Sequence, residues 1–551
     1  MDNAAAPLFH TCTDGIRFNY GGSIPAGEGV VWDGGKCPRN SIVGTYVPYI
    51  WLGGNSRGIS LFGENDKNWS RSETIPCQQL IRQGNTVNLV LNLIAEPVRI
   101  TEKRDIVIGF EATPVKPMPE NWRKWNAWSW YGNGQIDQFD FRCHFMGSCY
   151  YWGAPTACAD IYPLNEDLSY WQELGNVRKT GQPPRNFMDE WLRKYPLPGK
   201  PGSSEYNRDY ETYKNHISGG FHMTAQAGNR PASDPIMFYT NARGVRWDTR
   251  EGQTFADEWH RNPFIQRNFK WLSSTAYDMD PVASFRDYAV YWYRKMLDSG
   301  ACDLIYWDDV FMSANFNTVA TGAYYLPDGS IQPSSGIFNM RELIRRTAVM
   351  QAEMGRPALN MVHMTNTAIA PICAFAGMNY DWEDHNGHRD FQDRYTREYI
   401  RALSIGRQFG NFPVVLAPIS GTPEQIAWCE RTATGVMLTH EVRWTHSSRK
   451  HYWSALKKLY DFGYGNDGVR AYNYWDAGFP LKIEGPEHSA LVLAKDGQAM
   501  LVLCDYGGGG EYRVESGGQA VNLETGEVLK SQHGTITAPL KKHDYIMIVI
   551  K

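Results

Sequence analysis

The alternation of apolar and polar positions changes character twice along the chain. From about 12 to 112, short apolar runs (Gly29–Trp32, Tyr46–Leu52, Gly58–Phe62, Thr86–Leu93) are separated by Gly, Asn and Asp. That spacing of strands and turn signals predicts a β-sandwich module over 1–112. Glu111-Ala112-Thr113-Pro114-Val115-Lys116-Pro117-Met118-Pro119 follows as an extended, Pro-rich connector. From about 120 to 465 apolar runs alternate with helical patterns, the signature of βα units. Eight strands are expected: Cys143–Tyr151, Gly220–Ala225, Ile236–Thr240, Leu304–Trp307, Ala358–His363, Cys373–Tyr380, Pro413–Leu416 and Gly435–Leu438. Apolar residues at helical spacing over Phe285–Leu297, Met340–Met354, Tyr395–Ile405 and Tyr452–Phe462 predict helices between them. Eight such units over 113–465 predict a (β/α)8 TIM barrel, with a long insertion near 155–219 read as a loop over one end. From 466 to 551 the pattern is β again (Ala490–Leu493, Ala499–Leu503, Tyr512–Val514, Ala520–Leu523, Tyr545–Ile550). The fold class is therefore multidomain, α/β plus all-β: a central TIM barrel flanked by an N-terminal β-sandwich and a C-terminal β-sandwich.

The chain is organised around Cys302-Asp303-Leu304-Ile305-Tyr306-Trp307-Asp308-Asp309-Val310-Phe311-Met312. It reads as a buried strand running into two adjacent carboxylates. Neighbouring side chains of a strand point to opposite faces, so only one of the pair can point into a site unless the strand end twists or bulges. In a TIM barrel the chemistry lies at the C-terminal ends of the strands. The predicted ends carry Tyr151 and Trp152; His222, Thr224 and Gln226; Tyr239 and Asn241; Asp308 and Asp309; His363 and Asn366; Asp381, Trp382, Glu383, Asp384 and His385; and His440 and Glu441.

Two carboxyl groups on different strands suit glycoside hydrolysis. One protonates the leaving oxygen, and the other attacks C1 or activates water. The pair expected is one of Asp308 and Asp309 with one of Asp381, Glu383 and Asp384. Their like charges would raise one pKa, as a general acid at neutral pH requires. Tyr306, Trp307 and Trp382 would wall a sugar site. His222 and His363 would bind hydroxyls, with Trp152, Tyr239, Asn241, Asp384 and Glu441 as further substrate contacts. Plainer readings compete: a turn or helix cap for each acidic pair, a core position for His363, and a turn for Glu64 in Gly63-Glu64-Asn65-Asp66-Lys67-Asn68-Trp69. Asp308, Asp309 and Asp384 would also suit a divalent cation. No H-E-x-x-H, EF-hand or P-loop pattern is present, and neither metal nor cofactor is expected.

Composition narrows the classes. The chain has 551 residues and a formal net charge of −4, without the basic patch a nucleic-acid or membrane surface calls for. No apolar run approaches the roughly 18 residues of a membrane span, and no signal peptide is visible near Met1. Aromatic residues make up 13%, including 20 Trp and 31 Tyr, enough to fill cores and stack on sugars. The ten Cys show no zinc spacing; Cys143, Cys149 and Cys158 are close enough to include a disulfide or to be free thiols.

Three stretches carry a resemblance. Tyr49-Ile50-Trp51-Leu52-Gly53-Gly54 with Gly58, then Glu64-Asn65-Asp66-Lys67-Asn68-Trp69, then Gly109-Phe110-Glu111-Ala112-Thr113-Pro114-Val115-Lys116-Pro117 resemble the bacterial DUF6067 family, related to the catalytic domain of glycoside hydrolase family 123. Tyr306-Trp307-Asp308-Asp309 and the closing β-module fit the same group. The resemblance implies a periplasmic or secreted glycosidase built as sandwich, barrel and β-domain. Family 123 enzymes are N-acetyl-β-galactosaminidases. They use an adjacent Asp-Glu pair after the fourth strand, with the substrate's acetamido group as nucleophile. Asp308 matches the Asp that orients that group, and Asp309 stands where the family has its acid Glu. Its carboxyl falls short by roughly 1.5 Å, a misplacement that can cost about a hundredfold. The departure favours two-carboxylate chemistry: Asp308 or Asp309 as nucleophile or base, and Glu383 or Asp381 as acid/base, with exo action on an oligo- or polysaccharide. The alternatives are a substrate-assisted N-acetylhexosaminidase and a non-catalytic carbohydrate-binding protein.

Overall fold

The computed structural model describes residues 6–551 except 128–137, 147–167, 198, 229–233, 247–249, 263–274, 277–278, 365–366, 384–386, 388, 445–448 and 496. An eight-stranded sheet forms its centre. In chain order the strands are Trp125–Ala127, Phe141–Met146, Ile236–Asn241, Leu304–Asp308, Met361–His363, Met378–Asp381, Phe412–Val415 and Arg443–Trp444. They lie side by side in that order, and every pairing is parallel. Arg443, on the last strand, donates from Nη2 to the carbonyl of Arg123, just before the first, at 3.3 Å. This side-chain contact ties the last strand to the residues that lead into the first.

Side chains alternate between two cores. Met237, Tyr239, Leu304, Tyr306, Met361, Met378, Tyr380, Phe412 and Val414 pack together inside the sheet. Phe238, Ile305, Trp307 and Val362 face the surrounding helices. The helices Ala283–Asp298, Ile337–Glu353, Arg397–Leu403 and Lys450–Phe462 fall where apolar periodicity predicts them.

Two predicted strands are helical. Gly220–Ala225 lies in the helix Ser204–Gly228, where Ile217, Phe221, Thr224 and Ala225 are buried at a spacing of four, three and one, one face of a helix. Gly435–Leu438 lies in the helix Pro423–His440, opened by a Thr422–Gln425 capping box and by Pro423. This helix is wedged between the central sheet and the C-terminal module and is buried throughout its second half, which erases the polar face that would have marked it. The actual first and last strands span only three and two residues. The insertion is not a loop over the end: among its described residues it forms the helices Ser169–Thr180 and Phe187–Lys194 and begins Ser204–Gly228. Trp171 packs edge-on against Phe238 at 5.1 Å, so these helices cover the flank of the sheet.

Both all-β modules use the same construction. N-terminally, a five-stranded sheet (Asn19–Ser23, Leu8–Cys12, Tyr49–Gly53, Gly58–Phe62, Gly109–Thr113) faces a three-stranded one (Gly29–Asp33, Gln78–Gln83, Thr86–Leu91). Phe9, Ile50, Leu52 and Leu61 meet Trp32, Leu80 and Val87 between them. The other face of the larger sheet, Leu8, Tyr49, Trp51 and Phe62, joins the core of the helices around the central sheet. C-terminally, Val492, Leu501, Leu503 and Ile548 face Tyr512, Val514 and Ile536 across the sandwich. Leu491, Leu493, Val502 and Met547 on the opposite face pack with the helix Pro423–His440.

Candidate active site

The fourth strand places Leu304, Tyr306 and, by the same alternation, Asp308 inside the sheet. Asp309 would then point outward. Its backbone instead turns left-handed, with φ +54°, and its carboxylate comes round to Asn241, whose Nδ2 donates to Oδ2 at 2.5 Å. Asn241 ends the neighbouring third strand and pairs in register with Asp308. Both carboxyls thus reach the same mouth. Left-handed backbone is uncommon outside glycine, and Asp and Asn are the residues that adopt it most readily.

Arg243 holds that bend. It is buried, donates from Nε to the carbonyl of Asp309 at 3.1 Å, and donates from Nη2 to the carbonyl of Phe311. Its Nη1 lies 3.6 Å from Asp280, whose Oδ2 accepts from Asn339 at 2.6 Å. Sequence reasoning missed Arg243. The only signal was a cation two residues past a strand end.

The two carboxyls sit in opposite electrostatic settings. Burial works against the charge of Asp308, but the hydrogen bond and charge of His363, the Tyr239 hydroxyl and the backbone N–H of Asp309 outweigh it, so its pKa lies below the ordinary value. His363 Nδ1 stands 2.9 Å from Asp308 Oδ1, the Asp309 N–H donates to the same oxygen at 2.9 Å, and Tyr239 donates to Oδ2. For Asp309, burial and then the neighbouring charge of Asp308 push the pKa up to about 6, against the pull of Asn241 and Arg243. At a pH below about 6, Asp308 is the anion and Asp309 carries the proton.

His363 connects this pair to the sixth strand. Its Nε2 stands 3.5 Å from Oε2 of Glu383, which is half exposed. Burial lowers its pKa, but Asp308, Glu383 and Asp309 raise it by more, leaving it above the ordinary histidine value. Tyr306 contacts His363 Nδ1 through its hydroxyl at 2.6 Å and stacks on Tyr239 at 5.2 Å. Tyr380 lies 4.8 Å from the imidazole. Three tyrosines and a histidine therefore form a floor under the pair.

The structure brings Asp308, Asp309, Tyr239, Asn241, Tyr306, His363 and Glu383 together and separates the others. Asp381 is fully buried and points out of the sheet. It accepts from the Trp382 N–H at 2.9 Å and from the Ser404 hydroxyl at 3.2 Å, so it braces the strand end. Trp382 stacks on Tyr395 at 4.3 Å, and Trp307 meets Tyr293 edge-on at 4.8 Å. Both indoles are buried on the helix side and wall no site. Glu441 lies before the eighth strand, at the opposite end of the sheet. Arg123 and Arg407 each donate to it at 2.6 Å and Tyr464 at 2.9 Å. His222 is exposed on the helix Ser204–Gly228. Trp152 and Asp384 lie outside the described residues. All eight cysteines among the described residues, Cys143 included, are buried free thiols; Cys149 and Cys158 lie outside them. Glu64 is not confined to a turn: it accepts from the N–H groups of Gly336 at 2.8 Å and Phe338 at 2.9 Å, capping the helix Ile337–Glu353.

No family model matches the chain, and no curated protein matches it. Solved structures similar to it include a family 36 α-galactosidase from Geobacillus stearothermophilus, at 10% identity and TM-score 0.47, over 100% of this chain and 74% of that one. A family 27 β-L-arabinopyranosidase from the same organism is similar at 12% identity and TM-score 0.37, over 60% and 75% of the two chains. A noncanonic maltogenic α-amylase from Thermotoga neapolitana is similar at 10% identity and TM-score 0.37, over 60% and 80%. Likeness at these TM-scores does not define a common fold.

Proposed function

We propose that this chain is a glycoside hydrolase whose parallel sheet closes as a (β/α)8 barrel and whose chemistry belongs to Asp308 and Asp309. One observation carries the reading: two adjacent strand-end carboxyls, of which one is held below the ordinary pKa and the other is raised to about 6. Cleaving a glycosidic bond needs a proton for the leaving oxygen and negative charge near the anomeric carbon. Asp309 supplies the proton, and Asp308 supplies the charge. His363 keeps Asp308 ionised. Glu383, on the far side of the same imidazole, borders the sugar site from the sixth strand, over a floor of Tyr239, Tyr306 and Tyr380. The substrate is an oligo- or polysaccharide, and a periplasmic or secreted location accords with the family 123 resemblance.

Aryl glycosides of different sugars, assayed with Asp308→Asn, Asp309→Asn and Glu383→Gln, test the reading. Asn tolerates left-handed backbone, so Asp309→Asn removes the acid and keeps the turn. A loss of about 10²–10⁴ in kcat/KM is expected for Asp309→Asn. Full activity in both Asp variants would overturn the assignment, and binding of sugars without turnover on any of them would leave a carbohydrate-binding protein. Activity should fall as pH rises through about 6, where Asp309 loses its proton, and again on the acid side below the ordinary carboxylate range, where Asp308 gains one.

A second reading is favoured by the adjacency of the pair. An anionic Asp308 beside a protonated Asp309 also suits a mechanism in which the substrate's acetamido group attacks and Asp308 orients it. Inhibition by a thiazoline, together with turnover restricted to N-acetylhexosaminides, would select that reading.

A further inference from the structure

Asp280, just before the helix Ala283–Asp298, is a fully buried carboxylate that the chemistry proposed above does not use. Its N–H donates to the Trp259 carbonyl at 3.1 Å. Asn339, in the first turn of the helix Ile337–Glu353, donates to its Oδ2 at 2.6 Å. The backbone entering that helix passes close over the other oxygen. A Cβ at Gly336 would lie 2.7 Å from Asp280 Oδ1, and φ there is +70°. Only glycine suits both conditions. The carboxylate thus lies at the N-terminus of a helix of 17 residues, where negative charge is favoured. Asp280 Oδ1 also faces Arg243 Nη1, at 3.6 Å. That separation is too long for a hydrogen bond, so the link is one of charge.

Charged groups face Asp280 from each element around it. Burial disfavours its ionised form, and Arg243, then the Asn339 amide and Arg261, favour it. Arg286, on the helix Ala283–Asp298, gains from its negative charge. Glu64, reaching from the N-terminal module to the N–H groups of Gly336 and Phe338, is disfavoured by it. Arg243 lies between Asp280 and the active pair. Burial and the like charge of Arg261 lower its pKa to about 10, while Asp280 and Asp309 support its charge, so it stays a cation at neutral pH. Asp309 is faced in turn by Asp308, Asn241, Arg243 and His363. One guanidinium therefore serves two carboxyls. The more of its charge Asp280 cancels, the less remains to draw the proton off Asp309.

We infer that Asp280 is a positioning residue: by opposing the charge of Arg243 it sets the pH at which Asp309 parts with its proton. Its consequence for activity rests on the reading of Asp309 as the acid, whereas the proton affinity of Asp309 can be read without turnover. An amide at position 280 can still accept from Asn339, but it cannot oppose the guanidinium. Arg243 would keep its place, because the carbonyls of Asp309 and Phe311 hold it independently of Asp280.

The test is titration of the Asp309 carboxyl in the full chain, by carboxyl-carbon NMR of protein labelled at aspartate, with Asp309→Asn identifying the signal. Asp280→Asn leaves the guanidinium uncompensated, and Asp309 titrates about one pH unit lower than in the parent. Arg243→Gln removes the cation and leaves the Asp280 charge, and Asp309 titrates about one unit higher. The double variant leaves no lone buried ion, which answers a failure of Asp280→Asn to fold. In it Asp309 titrates between its values in the two single variants. The limb of kcat/KM near pH 6 moves with the carboxyl in each. An unmoved or raised Asp309 in Asp280→Asn, or a double variant identical to Arg243→Gln, would overturn the assignment. So would a loss of kcat/KM equal at every pH with the limb in place, which marks a structural support alone. Turnover of aryl glycosides by the parent is read separately. Turnover without the shifts removes the role of Asp280 and leaves the hydrolase, whereas the shifts without turnover keep that role and remove the hydrolase.

Discussion

The two aspartates show how far one backbone angle can carry function. By alternation alone, either Asp308 or Asp309 could face the mouth, and the left-handed turn at Asp309 admits both. Sequence could name the pair, but it could not supply the turn, because Asp occurs in both conformations. The sixth strand shows the converse. Tyr380 faces inward, so Asp381, one position on, faces the helices and braces Ser404. Choosing between Asp381 and Glu383 depended on the parity of a four-residue strand, which its composition does not fix. The tryptophans were misplaced for the same reason: beside an acid an indole suggests a sugar wall, yet Trp307 and Trp382 occupy outward positions. His363 is the residue whose removal is most informative. His363→Gln removes the positive charge that helps hold Asp308 below its ordinary pKa. The acid limb of the pH–rate profile should therefore move to higher pH, while Asp309→Asn should instead abolish the limb near pH 6. An unchanged acid limb in His363→Gln would show that Asp308 does not report on it.

At the scale of elements, helices with one exposed face were legible and elements buried all round were not. Ala283–Asp298 and Lys450–Phe462 keep a polar stripe and were found. Pro423–His440 has almost none along its second half, and a short apolar piece of it reads equally well as a strand. Strands of two and three residues, such as Arg443–Trp444 and Trp125–Ala127, are too short for any period to register. The miscounts offset one another: a false second strand took the place of the missed first, and the aspartate pair still falls on the fourth. The buried helix also has a measurable tolerance. A Cβ at Gly435 would lie 2.7 Å from the Tyr545 Cβ and 2.9 Å from the Cys504 Sγ. Gly435→Ala should therefore destabilise the protein by about 1–3 kcal/mol despite its better helix propensity, read as a lower urea midpoint at unchanged slope.

At the scale of the whole molecule, charge pairs far from the aspartate pair tie the segment before the first strand of the central sheet to the segment before the last. Burial works against the Glu441 carboxylate, but Arg123 and Arg407 outweigh it and bring its pKa down to about 2. A depressed pKa contributes stability above the ordinary carboxylate range and loses it as pH falls through about 2. Glu441→Gln should cost about 2 kcal/mol at neutral pH, somewhat below a fully enclosed pair because both arginines keep some solvent contact. The difference from the parent should narrow on acidification from about pH 4; a gap constant down to pH 2 would assign the loss to packing. The larger sheet of each β-module has apolar residues on both faces, one against its own smaller sheet and one against the helices around the central sheet. A module of that kind has no soluble boundary of its own. Cutting the chain at either junction would bare two complementary apolar surfaces at once, so the three parts should melt in a single calorimetric transition and resist limited proteolysis at the connectors. Unlike the sugar-binding appendages that many modular proteins lose or exchange freely, these two cannot be traded without rebuilding the helical layer around the central sheet.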